Sequence, residues 1–299
     1  KGGLFMPNGI LIIDKPQDWT SHDVIAKLRG ILREKRIGHA GTLDPLATGV
    51  LPVFVGQATR AVEFAENGRK EYIAGLRLGL STNTQDITGD TLTEAPVLCT
   101  RADVEAILPR FTGELLQIPP MYSAIKIGGK KLYELARKGV EVERPPRPVT
   151  IYELELFSPQ PGTVPSPDAP DYYFRAVCSK GTYIRTLCHD IGAALGCGGC
   201  MASLRRTMAA GFTLEQAVTL EQVAEQGAAL LLPLDEYFAQ YPAYVLPAGR
   251  DEFLCRNGNA LTAALPDGTY RVYAPGGDFL CLSRQVGGNL TAIKNFFGA

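Results

Sequence analysis

The sequence predicts an α+β (mixed α/β) protein, a larger mixed domain followed by a small β-rich one, on three observations. Its 299 residues amount to about two domains at the usual ~150 residues each. Upstream of Tyr241, strand-like apolar runs alternate with amphipathic helical ones. From about Tyr241 the pattern changes to short strands separated by tight turns.

In chain order, residues 9–14 form a short apolar run bounded by turn signals, which predicts a strand. Thr20 with Asp23 three residues on resembles a capping box, Asp standing in place of Glu. Val24, Ile25, Leu28, Ile31 and Leu32 follow at helical spacing and leave Lys27, Arg29 and Arg33 to solvent. A polar Gly/Pro-rich stretch, residues 38–49, leads into an apolar strand at 51–55. Residues 71–78 alternate through Tyr72, Ala74, Leu76 and Leu78, the pattern of a half-buried strand. Thr100 and Asp103 open a second capped helix carrying Val104, Ile107, Leu108 and Phe111.

Residues 117–148 differ in kind: Pro-Pro, then Gly-Gly-Lys-Lys, a short helix at 132–138 stopped by Gly139, then Pro145-Pro146. Glycine and proline bracket a basic, polar excursion, which predicts an inserted flap rather than core. Strands resume at 150–157 and 172–178 around a loop with five prolines between Pro159 and Pro170. Ile184, Leu187, Cys188, Ile191 and Leu195 mark a helix. Beyond Tyr241, the turns Pro266-Asp267-Gly268-Thr269, Pro275-Gly276-Gly277-Asp278 and Gly287-Gly288-Asn289 separate short strands.

With 45% hydrophobic and 20% charged residues the chain is globular rather than disordered. No apolar run approaches the ~18–20 residues that span a bilayer, and the N-terminus lacks an apolar leader with a small-residue cleavage site. A cytoplasmic protein is expected. The seven cysteines are odd in number and irregular in spacing, which favours reduced thiols. Cys197-Gly198-Gly199-Cys200, with Cys188 and His189 upstream, would suit zinc or redox chemistry, or simply pack beside a turn. Packing is the expectation, because a second well-spaced C-x-x-C is missing. Net charge is −1, yet residues 27–36, 126–147 and 175–206 each carry +4 in an otherwise acidic chain. Together they predict one positive face suited to a phosphate backbone.

The most distinctive stretch is Gly38-His39-Ala40-Gly41-Thr42-Leu43-Asp44-Pro45-Leu46-Ala47-Thr48-Gly49-Val50-Leu51-Pro52. Two readings of Asp44 stay open on local evidence: a turn residue capping its own backbone, or a catalytic carboxylate.

This stretch resembles the catalytic motif of the TruB family of tRNA pseudouridine-55 synthases. Other blocks resemble that family in the same order: Asp14-Lys15-Pro16 with Thr20-Ser21, Lys70-Glu71-Tyr72, and Thr84-Gln85-Asp86 through Gly89-Asp90. Pro120 to Ala124, Gly129 to Tyr133, Lys180 to Arg185, and Leu204-Arg205-Arg206 follow. The resemblance implies a catalytic domain over residues 6–240, on a mostly antiparallel mixed sheet, with residues 117–148 as a thumb. Residues 241–299 match more loosely, as a PUA-like RNA-binding domain.

Conversion of uridine to pseudouridine cuts the N1–C1′ bond, turns the uracil and rejoins it through C5. There is no net redox or hydrolysis, so no metal or other cofactor is expected. A carboxylate suffices as nucleophile, as in covalent glycosyl chemistry. By resemblance Asp44 is that group. The charged carboxylate must persist in a pocket that excludes water, and a guanidinium favours it; Arg185 matches the family's active-site arginine and Asp86 the acid that orients it. Tyr72 matches the residue that stacks on the base and assists proton removal from C5. Tyr183 and Leu204 match positions lining the uracil pocket, His39 one lying against the RNA, and Lys15 one assigned to substrate binding. The target is folded into the tRNA T loop, so it must be flipped out, at a cost of a few kcal/mol. Lys126, Lys130, Lys131 and Arg137 supply the thumb's contacts with the T arm. The expected partner is tRNA alone, met by a monomer with no obligate protein partner and no membrane. A guide-directed synthase would lack the thumb, a non-catalytic RNA-folding protein would not need Asp44, and a glycosidase would want a second paired carboxylate.

Overall fold

The computed structural model describes residues 7–157 and 172–297; the proline-rich loop at 159–170 lies outside the described residues. The larger domain is built on one sheet. Its strands lie in the order Gly9–Lys15, Thr48–Val55, Gly199–Ala209, Lys70–Leu78, Tyr172–Cys178, Arg147–Phe157 and Gly113–Gln117. Ile37–His39 pairs with Thr48–Val55, and Phe212–Thr213 with Gly199–Ala209. Every pairing is antiparallel except that of Gly199–Ala209 with Thr48–Val55, where Arg206 meets Gly49. The expected mixed, mostly antiparallel sheet is therefore present.

Both predicted helix starts form. Thr20 Oγ1 accepts from Asp23 N at 3.1 Å while Asp23 Oδ2 accepts from Thr20 N at 2.9 Å, capping Ser21–Leu32. That helix packs Val24, Ile25, Leu28 and Leu32 against Leu11, Ile13, Leu51 and Val53. Thr100 and Asp103 cap Arg101–Ile107 in the same way. The helix Ile184–Ala194 lays Leu187, Cys188 and Ile191 on Ala74, Leu76 and Phe174 of the sheet. It comes so close to the Gly199–Ala209 strand that a Cβ on Gly192 would stand 2.2 Å from Gly199 N. Cys197, Cys188 and Cys200 are buried at this crossing. Among the described residues no three His, Cys, Asp or Glu side chains converge to hold a metal. Between the cysteines, Gly199 serves the close approach of helix and strand, since a Cβ there would stand 3.0 Å from Cys188 O and from Gly192 Cα.

The C-terminal residues form a second sheet, in the order Ala243–Val245, Gly268–Tyr273, Phe279–Val286, Asn289–Asn295 and Leu261–Thr262. It is seated on the larger domain by Phe238, whose ring lies 5.5 Å from Phe296 and 6.1 Å from Phe279. Arg60 adds hydrogen bonds to the carbonyls of Asn295 and Phe297, both at 3.2 Å. Among the described residues no helix is long and apolar enough to cross a membrane.

Candidate active site

Asp44 stands in the loop between Ile37–His39 and Thr48–Val55, and that loop is pinned by its own backbone carbonyls and amides. Leu43 N donates to Ser21 Oγ at 2.9 Å, and Ser21 Oγ donates to Leu43 O at 3.2 Å. Asp18 N donates to Pro45 O at 2.8 Å. Lys15 Nζ donates to the carbonyls of Trp19 at 2.6 Å, Pro16 at 2.7 Å and Pro45 at 3.4 Å. Arg206 donates from Nη2 to Gly41 O at 2.8 Å and from Nε to Val50 O at 2.7 Å.

These contacts leave the Asp44 side chain 43% exposed while its partner is buried: Arg185 Nε lies 3.0 Å from Asp44 Oδ2, with the arginine side chain 6% exposed. Arg185 is in turn oriented by Thr84 O at 3.1 Å and Tyr122 O at 2.8 Å, with Asp86 Oδ2 at 3.8 Å. Asp86 is buried, and its Oδ1 accepts from Thr84 Oγ1 at 2.8 Å, Thr88 N at 3.0 Å and Thr88 Oγ1 at 2.5 Å. A carboxylate thus saturated on one oxygen presents the other toward the guanidinium, which is thereby aimed at Asp44.

Tyr72 and Tyr183 both lie within electrostatic reach of Asp44, and burial raises both phenols above their ordinary range. Each is therefore neutral near pH 7. Tyr72 is 7% exposed and shares a hydrophobic cluster with Leu43, Ala47 and Leu204. Tyr183 precedes the helix of Arg185, and its backbone is held twice by one amide: Tyr183 N donates to Gln117 Oε1 at 2.8 Å, and Gln117 Nε2 donates to Tyr183 O at 3.0 Å. His39 ends its short strand with its ring edge-on to His22 at 5.8 Å. Burial first, then His22 and Arg206, push it down to about 4, so it is neutral too.

The structure therefore brings together Asp44, Arg185, Asp86, Tyr72, Tyr183 and Leu204. Two expectations need correction. Lys15 is fully buried, and its ammonium is spent on three carbonyls under the Asp44 loop. It supports that loop rather than offering a substrate contact, and burial lowers it to about 8 against the opposing pull of Asp44. The basic run at 175–206 does not join a positive face either. Arg175 is neutralised by Glu71 at 2.7 Å, Glu153 at 2.6 Å and Glu155 at 3.0 Å, and Arg205 by Asp14 at 2.8 Å. Arg185 and Arg206 are buried, which leaves Lys180 as the run's exposed cation.

The flap is basic on its surface. Lys126–Ile127 and Lys130–Lys131 form a hairpin turned by Gly128 (φ 57°) and Gly129 (φ 81°), both left-handed as a two-residue hairpin turn needs. The helix after it, Leu132–Ala136, is two residues shorter than expected. Lys126, Lys130 and Arg137 are exposed, and Lys131 and Arg137 each lie 5.4 Å from the Tyr133 ring centre. Ser21 and Arg206 fall within family-like blocks and Gln117 at the start of the flap, but the sequence assigned none of the three a role in the site. Each acts on backbone atoms, and a residue whose partner is a distant carbonyl leaves no spacing signature.

Residues 29–184 match the TruB family pseudouridylate synthase (N terminal domain), and residues 185–239 match the tRNA pseudouridylate synthase B C-terminal domain. The chain is similar to the tRNA pseudouridine synthase B of Alkaliphilus oremlandii (strain OhILAs), 51% identical over 76% of this chain and 74% of that one. The protein of the same name from Clostridium kluyveri is 38% identical over 97% of this chain and 99% of its own. Among solved structures, one described as "Crystal Structure of a Cbf5-Nop10-Gar1 Complex" superposes with a TM-score of 0.68 at 26% identity, covering 97% of this chain and 85% of that one.

Proposed function

This chain belongs to the TruB family of pseudouridylate synthases, and from that premise we propose that it isomerises uridine 55 in the T loop of tRNA, with Asp44 as its nucleophile and no cofactor. It is an isomerase that acts on tRNA. The observation that carries the residue assignment is the pairing of a half-exposed carboxylate with a buried arginine, 3.0 Å apart, on a loop held rigid from beneath.

The chemistry follows from that arrangement. The extruded uridine enters beside Asp44, whose charge Arg185 sustains as water is displaced. The N1–C1′ bond breaks, the uracil turns, and C5–C1′ forms. The proton on C5 then leaves and N1 takes one up, so the product is an isomer. Tyr72 stacks on the base and helps remove the C5 proton. Tyr183 and Leu204 keep the detached uracil in place, and His39, uncharged, lies against the RNA. Lys126, Lys130, Lys131 and Arg137 close on the T arm through phosphate contacts, with residues 117–148 as the thumb. Residues 6–240 form the catalytic domain, and residues 241–299 a PUA-like module that adds RNA contacts. The enzyme works as a monomer in the cytoplasm, where unstacking and releasing the T loop also assists tRNA folding.

Because the C5 hydrogen is lost, tRNA transcripts tritiated at uridine C5 report the reaction directly. Release approaching one tritium per tRNA is expected, and retention of the label would contradict the proposal.

A further inference from the structure

Arg206 takes no part in the steps above, yet among the described residues it is the largest fully buried side chain. A buried guanidinium is costly unless its donors are satisfied, and well-packed apolar residues of similar volume often do as well or better for stability. Its position suggests what is gained. Its backbone lies in the Gly199–Ala209 strand, between Gly49 of the Thr48–Val55 strand and Tyr72 of the Lys70–Leu78 strand. Across the antiparallel pair it is the direct partner of Tyr72, so the two side chains share one face of the sheet. Its side chain reaches Gly41 O at 2.8 Å and Val50 O at 2.7 Å, one on each side of Asp44. Its third nitrogen, Nη1, has no hydrogen-bond partner among the described residues, and a Cβ on Gly41 would stand 3.2 Å from it. Gly49 is equally constrained: its φ is +100°, and a Cβ there would meet Arg206 O at 2.2 Å.

We propose that Arg206 is a positioning residue for the isomerisation, fixing both ends of the Asp44 loop in register with the Tyr72 strand so that carboxylate and phenol meet the extruded uracil in one geometry. The proposal rests on reading Asp44 and Tyr72 as the side chains at the reacting base. A planar fork can hold two carbonyls on different segments at once. A lysine ammonium, a point donor, holds them less well, and glutamine lacks the reach.

The test compares Arg206→Lys and Arg206→Gln with wild type and Asp44→Asn, each as the full chain. Single-turnover tritium release, tRNA affinity and thermal melting are measured for all four. Arg206→Gln should slow the single-turnover rate about 100-fold, the scale of an ångström's misplacement. Affinity should stay within about threefold of wild type, since phosphate contacts dominate it. Arg206→Lys should recover part of the rate, a rescue that a merely space-filling role would not show. Folded variants that keep wild-type rates would overturn the inference. So would a parallel fall of rate and affinity, or failure of both variants to fold, which would make Arg206 a strut of the core. Wild type that releases no tritium, or Asp44→Asn that does, would instead remove the reading of the reaction on which the inference rests.

Discussion

Asp44 is an ordinary loop carboxylate until its surroundings are counted: a buried arginine at 3.0 Å, and a backbone clamped from below by Lys15, Ser21 and Arg206. Asp44→Asn keeps the shape of this arrangement and removes the carboxylate proposed as nucleophile. Turnover should drop below about 1% of wild type while tRNA affinity stays within about tenfold, since affinity comes mainly from phosphate contacts. Filter binding and single-turnover rates measure the two separately, and residual turnover above that level, with deamidation excluded, would remove Asp44 from its role. A second residue-scale prediction concerns pH. Burial holds His39 at about 4, against an ordinary 6.5. Between those values the unfolded chain binds a proton that the folded one does not, so this histidine makes stability fall as pH drops from about 6.5 to about 4. The urea midpoint of His39→Gln should therefore decline less than that of wild type between about pH 7.5 and about pH 5. Equal declines would show that His39 titrates normally in the fold. That Asp44, Arg185, Asp86, Tyr72 and Tyr183 lie together was anticipated through the family resemblance, since local evidence left even Asp44 open between a turn residue and a catalytic carboxylate. The supporting role of Lys15 was not, because it depends on burial and on the carbonyl of Pro45, thirty positions along the chain.

Elements with a strong local signal formed where expected: the two Thr-x-x-Asp caps and the alternating strand through Tyr72. The central strand Gly199–Ala209 was not legible, for a physical reason. Its first half, Gly199 to Ala202, is buried throughout, and where burial does alternate, from Ala202 to Thr207, one of the buried positions is Arg206, so the sequence shows no apolar alternation there. The flap carries this scale's prediction. Replacing Lys130 and Lys131 by alanine should weaken tRNA binding and flatten its salt dependence, by about 0.7–0.9 of slope for every phosphate the thumb no longer neutralises. Because Lys131 also donates to Tyr133 Oη at 3.2 Å, Lys130→Ala alone is the cleaner variant. The rate on bound RNA should change less than the affinity. Protease cleavage near Gly128–Lys131 should be suppressed by a T-arm stem-loop. An unchanged salt slope together with cleavage that ignores RNA would mean that the hairpin is not a thumb.

For the whole molecule, the two sheets are joined by a common aromatic core rather than a loose linker. Phe238, 1% exposed, packs in one cluster with Phe54 of the larger sheet and with Leu282 and Phe296 of the smaller. Phe238→Ala should cost about 3–5 kcal/mol in urea unfolding and affect both sheets in one transition. Two separated transitions, with the C-terminal sheet untouched, would show that the domains are coupled only by their chain. Charge distribution at this scale departed from the sequence reading, since the run at 175–206 is consumed by Glu71, Glu153, Glu155 and Asp14, leaving the other two basic runs, residues 27–36 and the flap, to present exposed cations. The claim on which all three scales converge is that Asp44 drives isomerisation at one position of the T loop. Isomerisation leaves mass unchanged, so carbodiimide mapping of full-length tRNA transcripts tests it most directly. A stable adduct at uridine 55 should appear after incubation with wild type and not with Asp44→Asn, whereas no adduct at that position, or an equal one with both proteins, would contradict the account.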